Sequence, residues 1–353
     1  MFKGVLIMIK HFFILMLCIN NLFTNTLITS NLNQLKNNNS SPNIQCEVKI
    51  IKPNTYSDLA HNKYFCDSDT SSESESCKKN YDTQMKQDLL ILMMSYPEYI
   101  TGIETDDSGK VYVVMNSGKK FVYDDKKDKT PEQKLENPDL EDIMEDLYPL
   151  DKNDKIPDKS YDPGRCRNYE FLNEVYGGSR SSIEKNLVSL KYGYPNYQFN
   201  SHNNANTALE TALKEIMPLS KGRGDVSSLL YPGCGTYNYR LIAGTGKLSP
   251  HSYGIAIDLN TDKRDYWKWS TKDAGESRVK EYPLELVTAF ENKNFIWGGK
   301  WGRCDIMHFE YRPEIILKAK YFSNYDKNNK WYSGVPEDDD NIKRYIDIIE
   351  NSL

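Results

Sequence analysis

The chain has 353 residues, 27% of them charged, and a formal net charge of -5. That length is enough for the core of one large domain or two modest ones. The near balance of charge leaves no basic footprint for nucleic acid and no strong field for another polyion.

Near its start the chain carries "MIKHFFILMLCINNLF" (residues 8–23), where a short basic beginning with Lys3 and Lys10 gives way to an apolar run of roughly a dozen residues. The run is short for a membrane span and of the right size for a signal-peptide core. Residues 1–30 are therefore expected to be a secretory signal, and the protein to be exported to the periplasm, the cell envelope or the medium. The rival is an uncleaved anchor, which would be the only membrane contact. A lipoprotein reading through Cys18 is disfavoured by the bulky Leu17 before it. Beyond Cys18 the cysteines are Cys46, Cys66, Cys77, Cys166, Cys234 and Cys304. An even set in an exported chain predicts disulfides of undetermined pairing, and Cys66 and Cys77 are spaced to close a small loop. No C-x-x-C pair is present, which argues against a cysteine zinc ribbon or a redox motif.

Residues 31–84 are rich in Asn, Ser, Asp and Lys and read as a solvated linker. Residues 85–160 read as a small α+β extension. A helix in "KQDLLILMMSYPEYI" is stopped by Pro97, a hairpin in "VYVVMNSGKKFVYDD" turns at Ser117-Gly118, and a further helix lies near 139–148. A denser region, 161–320, follows. "NTALETALKEIM" places Ala208, Leu209, Ala212, Leu213 and Ile216 on one helical face. "TYNYRLIAG", "YGIAIDLN" and "MHFEYRP" read as short strands, with a helix in "PLELVTAFENKNF" between the last two. Helices and strands in this irregular order predict an α+β fold. Residues 321–353 form a tail whose Ile342, Ile346 and Ile349 predict a docked terminal helix.

The chain has five histidines, and His11 and His61 fall in the expected signal and linker. His202 reads as a loop residue. His251 stands seven residues before Asp258, at the end of the apolar strand "GIAID", and His308 follows Asp305 by three. A carboxylate at the end of a buried strand needs a cation to neutralise it. Two imidazoles and one carboxylate form an ordinary zinc set with an open fourth position, where water reaches a pKa of about 7. Asp305 is the first candidate for a base beside that water, and Glu310 the second. Arg240 is placed to stabilise an oxyanion or hold a substrate carboxylate. Ser249 reads as a turn cap or a group near the metal, and Gly254 as a point of close backbone approach. Trp297 and Trp301 read equally as cleft wall or core.

These residues carry a resemblance. "YRLIAGTGKLSPHSYGIAIDLN" followed by "FIWGGKWGRCDIMHFEYRP" resembles peptidase family M15, the zinc D-alanyl-D-alanine carboxypeptidases, and within it the VanY-like and endolysin-type branch. The shared pattern is S-x-H-x-x-G-x-A-x-D, then W-G-G-x-W, then an acid three residues before His-Phe. The resemblance covers residues 161–315 well, 85–160 weakly, and nothing earlier. It implies zinc ligands His251, Asp258 and His308, the general base Asp305 and the substrate or oxyanion arginine Arg240. It also implies the α+β fold shared with the hedgehog signalling domain, and the stem peptides of peptidoglycan as substrate. Trimming of a terminal D-alanine is the first expectation. An endopeptidase, and an inactive zinc-binding interaction module, are the alternatives. Cys234 and Cys304 depart from the family pattern, and a bridge between them would tether the Arg240 segment to the His308 segment.

Overall fold

The computed structural model describes residues 71–191 and 197–353. The expected signal peptide, most of the expected linker and the Cys66–Cys77 loop fall outside the described residues and side chains. Among the described residues, no helix is long and apolar enough to cross a membrane.

The first described element is the helix Ser71–Ser95, so residues 71–84 of the expected linker are helical. Its second half is apolar around its circumference, with Leu89, Leu90, Ile91 and Leu92 fully buried. A helix apolar on every side must be enclosed. Here the helices Pro313–Phe322 and Asp340–Ser352 and strand β1 (Ile100–Thr105) surround it. Its one buried carboxylate, Asp88, is neutralised by Lys318 Nζ at 2.6 Å and accepts a hydrogen bond from the Tyr123 hydroxyl at 2.9 Å.

Strand β1 was not anticipated from the sequence. It pairs antiparallel with β2 (Val111–Met115), which pairs with β3 (Lys120–Val122) across the expected hairpin. Gly118, at φ 85°, supplies the left-handed turn residue. The expected boundaries at 85, 161 and 321 fall inside a single continuous core. Buried apolar side chains run without a break from Met85 through Phe171, Phe290 and Phe309 to Ile349. The expected terminal helix runs over Asp340–Ser352 and buries Ile342, Tyr345, Ile346 and Ile349.

Strands β4 (Leu187–Ser189) and β5 (Gln198–Asn200) form a two-stranded ribbon. The central sheet has the order β6 (Ala256–Asp258), β8 (His308–Tyr311), β7 (Phe295–Trp297), all antiparallel. The helices Ala205–Ile216 and Leu284–Glu291 lie where periodicity put them. Phe290 stacks on Phe309 with ring centroids 4.2 Å apart, fixing the Leu284–Glu291 helix to the middle of the sheet. Helices and small antiparallel sheets thus make an α+β protein. "TYNYRLIAG" (236–244) is not a strand; it holds one isolated bridge, Leu241–Leu248, and a second, Gly235–Asp258, falls just before it.

Cys166, Cys234 and Cys304 are free thiols, which corrects the expectation of disulfides for these three, including the Cys234–Cys304 bridge. Their thiols face different neighbours. Cys234 Sγ lies 3.7 Å from the carbonyl of Leu229, and Cys166 Sγ lies 3.3 Å from that of Lys134. Cys304 is buried where the helix Lys272–Glu281 passes at Gly275.

Candidate metal centre

The segment His251 to Asp258 is built from a one-turn helix, a reversal and a strand. Ser249 caps the helix Pro250–Tyr253 by accepting the His251 N–H, so its capping reading holds. Gly254 then takes the left-handed conformation at φ 68° and turns the chain into β6. A Cβ there would sit 2.6 Å from Leu187 Cδ2 and 3.1 Å from the Asn200 backbone nitrogen, so glycine is needed for space as well as for φ. Asn200 locks the reversal, since its N–H donates to the Gly254 carbonyl and its Nδ2 to that of Tyr253.

Asp258 and His308 are direct cross-strand partners on β6 and β8. The Leu259 N–H donates to the Met307 carbonyl. This makes Asp258–His308 a non-hydrogen-bonded pair, the type whose side chains approach most closely. Asp258 Oδ1 lies 2.8 Å from His308 Nδ1 and 3.1 Å from His251 Nε2. One ligand atom from each of the three residues lies within 4.8 Å of the others. The imidazole centroids are 5.2 Å apart.

Each imidazole has its other nitrogen occupied. His251 Nδ1 is 2.7 Å from the Thr236 carbonyl oxygen, a partner that accepts only. The proton therefore sits on Nδ1, and Nε2 turns its lone pair toward Asp258, buried and with no hydrogen-bond partner. His308 Nε2 lies 3.5 Å from Glu310 Oε2, which leaves Nδ1 for the centre. Burial alone would raise the Asp258 carboxyl, but the two imidazoles beside it, His251 and His308, hold it well below the usual range. Burial opposes a charge on His308, yet Asp258, Glu310 and Asp305 push it up to about 10. An orphaned buried imidazole nitrogen beside an ionised carboxylate fits a divalent cation with mixed nitrogen and oxygen ligands.

Asp305 lies in the turn before β8, where its carbonyl accepts the His308 N–H at 3.0 Å. That turn is the physical content of the three-residue spacing. Its Oδ1 is buried without a partner, and burial, aided by Asp258, pushes its carboxyl up to about 6. Arg240 is anchored by its backbone. Its N–H donates to Ser252 Oγ at 2.8 Å, and its carbonyl accepts the Ser249 N–H at 3.0 Å, so it flanks the His251 turn. Its side chain is exposed and has no ion-pair partner among the described residues.

Glu310, the second candidate for the base, lies elsewhere. It is fully buried, and Arg167 clasps it through Nε at 2.8 Å and through Nη2. Its Oε2 meets His308 at Nε2, the ring nitrogen that is not turned to Asp258. Arg167 went unnoticed in the sequence, because an arginine 143 residues from its partner leaves no local signal. Trp297 and Trp301 are core residues, each 2% exposed, with indole nitrogens donating to the carbonyls of Ile306 and Pro163. Trp301 packs against His308 with centroids 5.8 Å apart. His202 is structural, its Nδ1 lying 2.7 Å from the Val175 carbonyl.

With this geometry in place, comparison with protein families returns one match. Residues 243–311 match the D-alanyl-D-alanine carboxypeptidase family model. The resemblance to the M15 peptidases is supported. The matched peptidase segment holds His251, Asp258, Asp305 and His308, while Arg240 and Arg167 lie outside it. Comparison with curated proteins and with solved structures gave no match.

Proposed function

We propose that this protein is an exported zinc peptidase that hydrolyses the stem peptides of peptidoglycan, acting first as a D-alanyl-D-alanine carboxypeptidase, on the α+β fold shared by DD-peptidases and the hedgehog domain. The observation that carries the reading is the convergence of His251 Nε2, Asp258 Oδ1 and His308 Nδ1 beside an unpartnered Asp305 Oδ1. His251, Asp258 and His308 would hold the zinc, which supplies a Lewis acid for the scissile carbonyl and for water.

The remaining work belongs to the chain. Asp305, with its carboxyl pushed up to about 6, is a base matched to neutral pH. Its Oδ1 takes a proton from the attacking water and returns it to the leaving amine. Arg240 meets the substrate's terminal carboxylate or the developing oxyanion with a guanidinium that has no ion-pair partner among the described residues. Thr236 and Glu310 keep the imidazole tautomers that leave Nε2 of His251 and Nδ1 of His308 free.

The test is mass spectrometry of products from defined muropeptides with pentapeptide stems, together with zinc content by elemental analysis. Wild type should bind one zinc and release a terminal alanine. Asp305→Asn should keep the zinc and lose about 10²–10⁴-fold in turnover. Scission inside the stem would make the protein an endopeptidase. Zinc binding without cleavage of any stem would sink the peptidase reading and leave an interaction module.

A further inference from the structure

The stretch "DYWKWS", residues 265–270, runs antiparallel to the segment that carries Asp305. The Trp267 N–H donates to the Cys304 carbonyl at 3.0 Å and the Ile306 N–H to the Asp265 carbonyl at 2.7 Å, bracketing a bridge between Tyr266 and Asp305. Bonds on either side of the pair make it non-hydrogen-bonded, with Cα atoms about 4.5 Å apart and both side chains on one face. Asp305 lies one turn before the ligand His308, its carbonyl accepting the His308 N–H at 3.0 Å, so the Tyr266–Asp305 pair stands beside the ligand set. The Tyr266 phenol therefore borders the base on the same side.

Trp269 extends this border outward. Its N–H donates to the Tyr266 carbonyl at 2.8 Å, closing a turn, and its indole meets the Tyr266 ring edge-on with centroids 5.1 Å apart. The indole is nevertheless 59% exposed, more than any other large hydrophobic side chain among the described residues. Two rings held by a turn, one sheltered beside the base and one open to solvent, form a rigid aromatic shelf leading out of the reaction site. Lys268 and Lys272, its close neighbours along the chain, are exposed and make no salt bridge among the described residues. A shelf of this kind takes the apolar C–H face of a pyranose, and the hydrophilic rim suits the ring's hydroxyl and amide groups.

Resting on the peptidase reading above, we infer that Tyr266 and Trp269 form a glycan subsite, which seats a hexosamine ring attached to the peptide being cut. The substrate is then a peptide still joined to its sugar, not a free stem peptide. Trp269 provides the contact and Tyr266 positions it.

Two measurements test this on the full chain. The first titrates the protein with peptide-free oligomers of N-acetylglucosamine and follows intrinsic fluorescence, with Trp269→Ala as reference and Trp269→Phe as the conservative variant. Wild type should saturate, Trp269→Ala should bind at least about tenfold more weakly, and Trp269→Phe should recover part of the loss. The second compares kcat/KM for a disaccharide-linked peptide with that for the same free peptide. That ratio should favour the linked substrate in wild type and fall about tenfold in Trp269→Ala. Absence of saturable glycan binding, or an unchanged ratio, overturns the inference. Glycan binding through Trp269 without cleavage of either substrate would support the subsite while removing the peptidase reading, so the two stand or fall separately.

Discussion

Replacing Arg167 with methionine removes the clasp on a fully buried carboxylate. Glu310 is 0% exposed, and its oxygens are met by Arg167, by His308 Nε2 at 3.5 Å and by Arg312 Nη1 at 3.6 Å. Breaking a buried pair by deleting one partner costs about 3–5 kcal/mol, because the other charge remains in a medium that solvates it poorly. Arg312 also binds Glu314, yet its Nη1 stays 3.6 Å from Glu310 and keeps part of the charge compensated, so the loss should lie at the lower end, about 3 kcal/mol. For a body of this size that is a fall in Tm of roughly 5–10 °C. Removing both charges, with Arg167→Met and Glu310→Gln together, leaves no unpaired ion and should restore most of the loss. The coupling between the two sites is then about 2 kcal/mol. Urea denaturation of the metal-free proteins measures the stabilities, and competition against a chromophoric chelator measures zinc affinity. Arg167→Met should also bind zinc about 10–100-fold more weakly, since Glu310 no longer holds Nε2 of His308 in place. Stability of Arg167→Met within 1 kcal/mol of wild type, or a double variant as unstable as the sum of the singles, would refute the account.

Gly254→Ala combines φ 68° with a Cβ 2.6 Å from Leu187 Cδ2, so it should lower stability by about 1–3 kcal/mol and weaken zinc binding through the displaced His251 turn, both readable in a thermal melt with and without zinc. Burial, then Glu145, pushes the carboxyls of Glu141 and Asp146 up, to about 8 and about 7. Folded values above the unfolded ones mean stability that is full below about pH 4 and lost as the pH climbs through 7 and 8. Urea denaturation across that range should show a slope of about 1.4 kcal/mol per pH unit for each group titrating, and Glu141→Gln should flatten it. Chelation should lower the Tm, and zinc at 100 times its Kd should restore about 2.7 kcal/mol. A melt indifferent to both would count against the metal centre.

What was legible in the sequence was local. His251 and Asp258 are joined by one helical turn, one left-handed glycine and one strand, and His308 follows Asp305 by a single turn. Geometry of that kind is set within eight residues, so spacing alone reveals it. The helices Ala205–Ile216, Leu284–Glu291 and Asp340–Ser352 were readable for the same reason, each burying one periodic face. Three things depended on partners far along the chain. The helix Ser71–Ser95 is enclosed by helices some 220 to 270 residues away, which turns a stretch with a linker's composition into the start of a core element. Glu310 is held in a buried ion pair by Arg167, 143 residues upstream, a partner that no local pattern announces. The cysteines counted as a disulfide set, yet Cys166, Cys234 and Cys304 face backbone and core, because side-chain direction is decided by packing and a count carries no direction. The sequence by itself determined which residues make up the candidate site, His251, Asp258, Asp305 and His308. The tertiary structure decided how they are aimed, since aim comes from cross-strand register and buried ion pairs between segments remote in the chain.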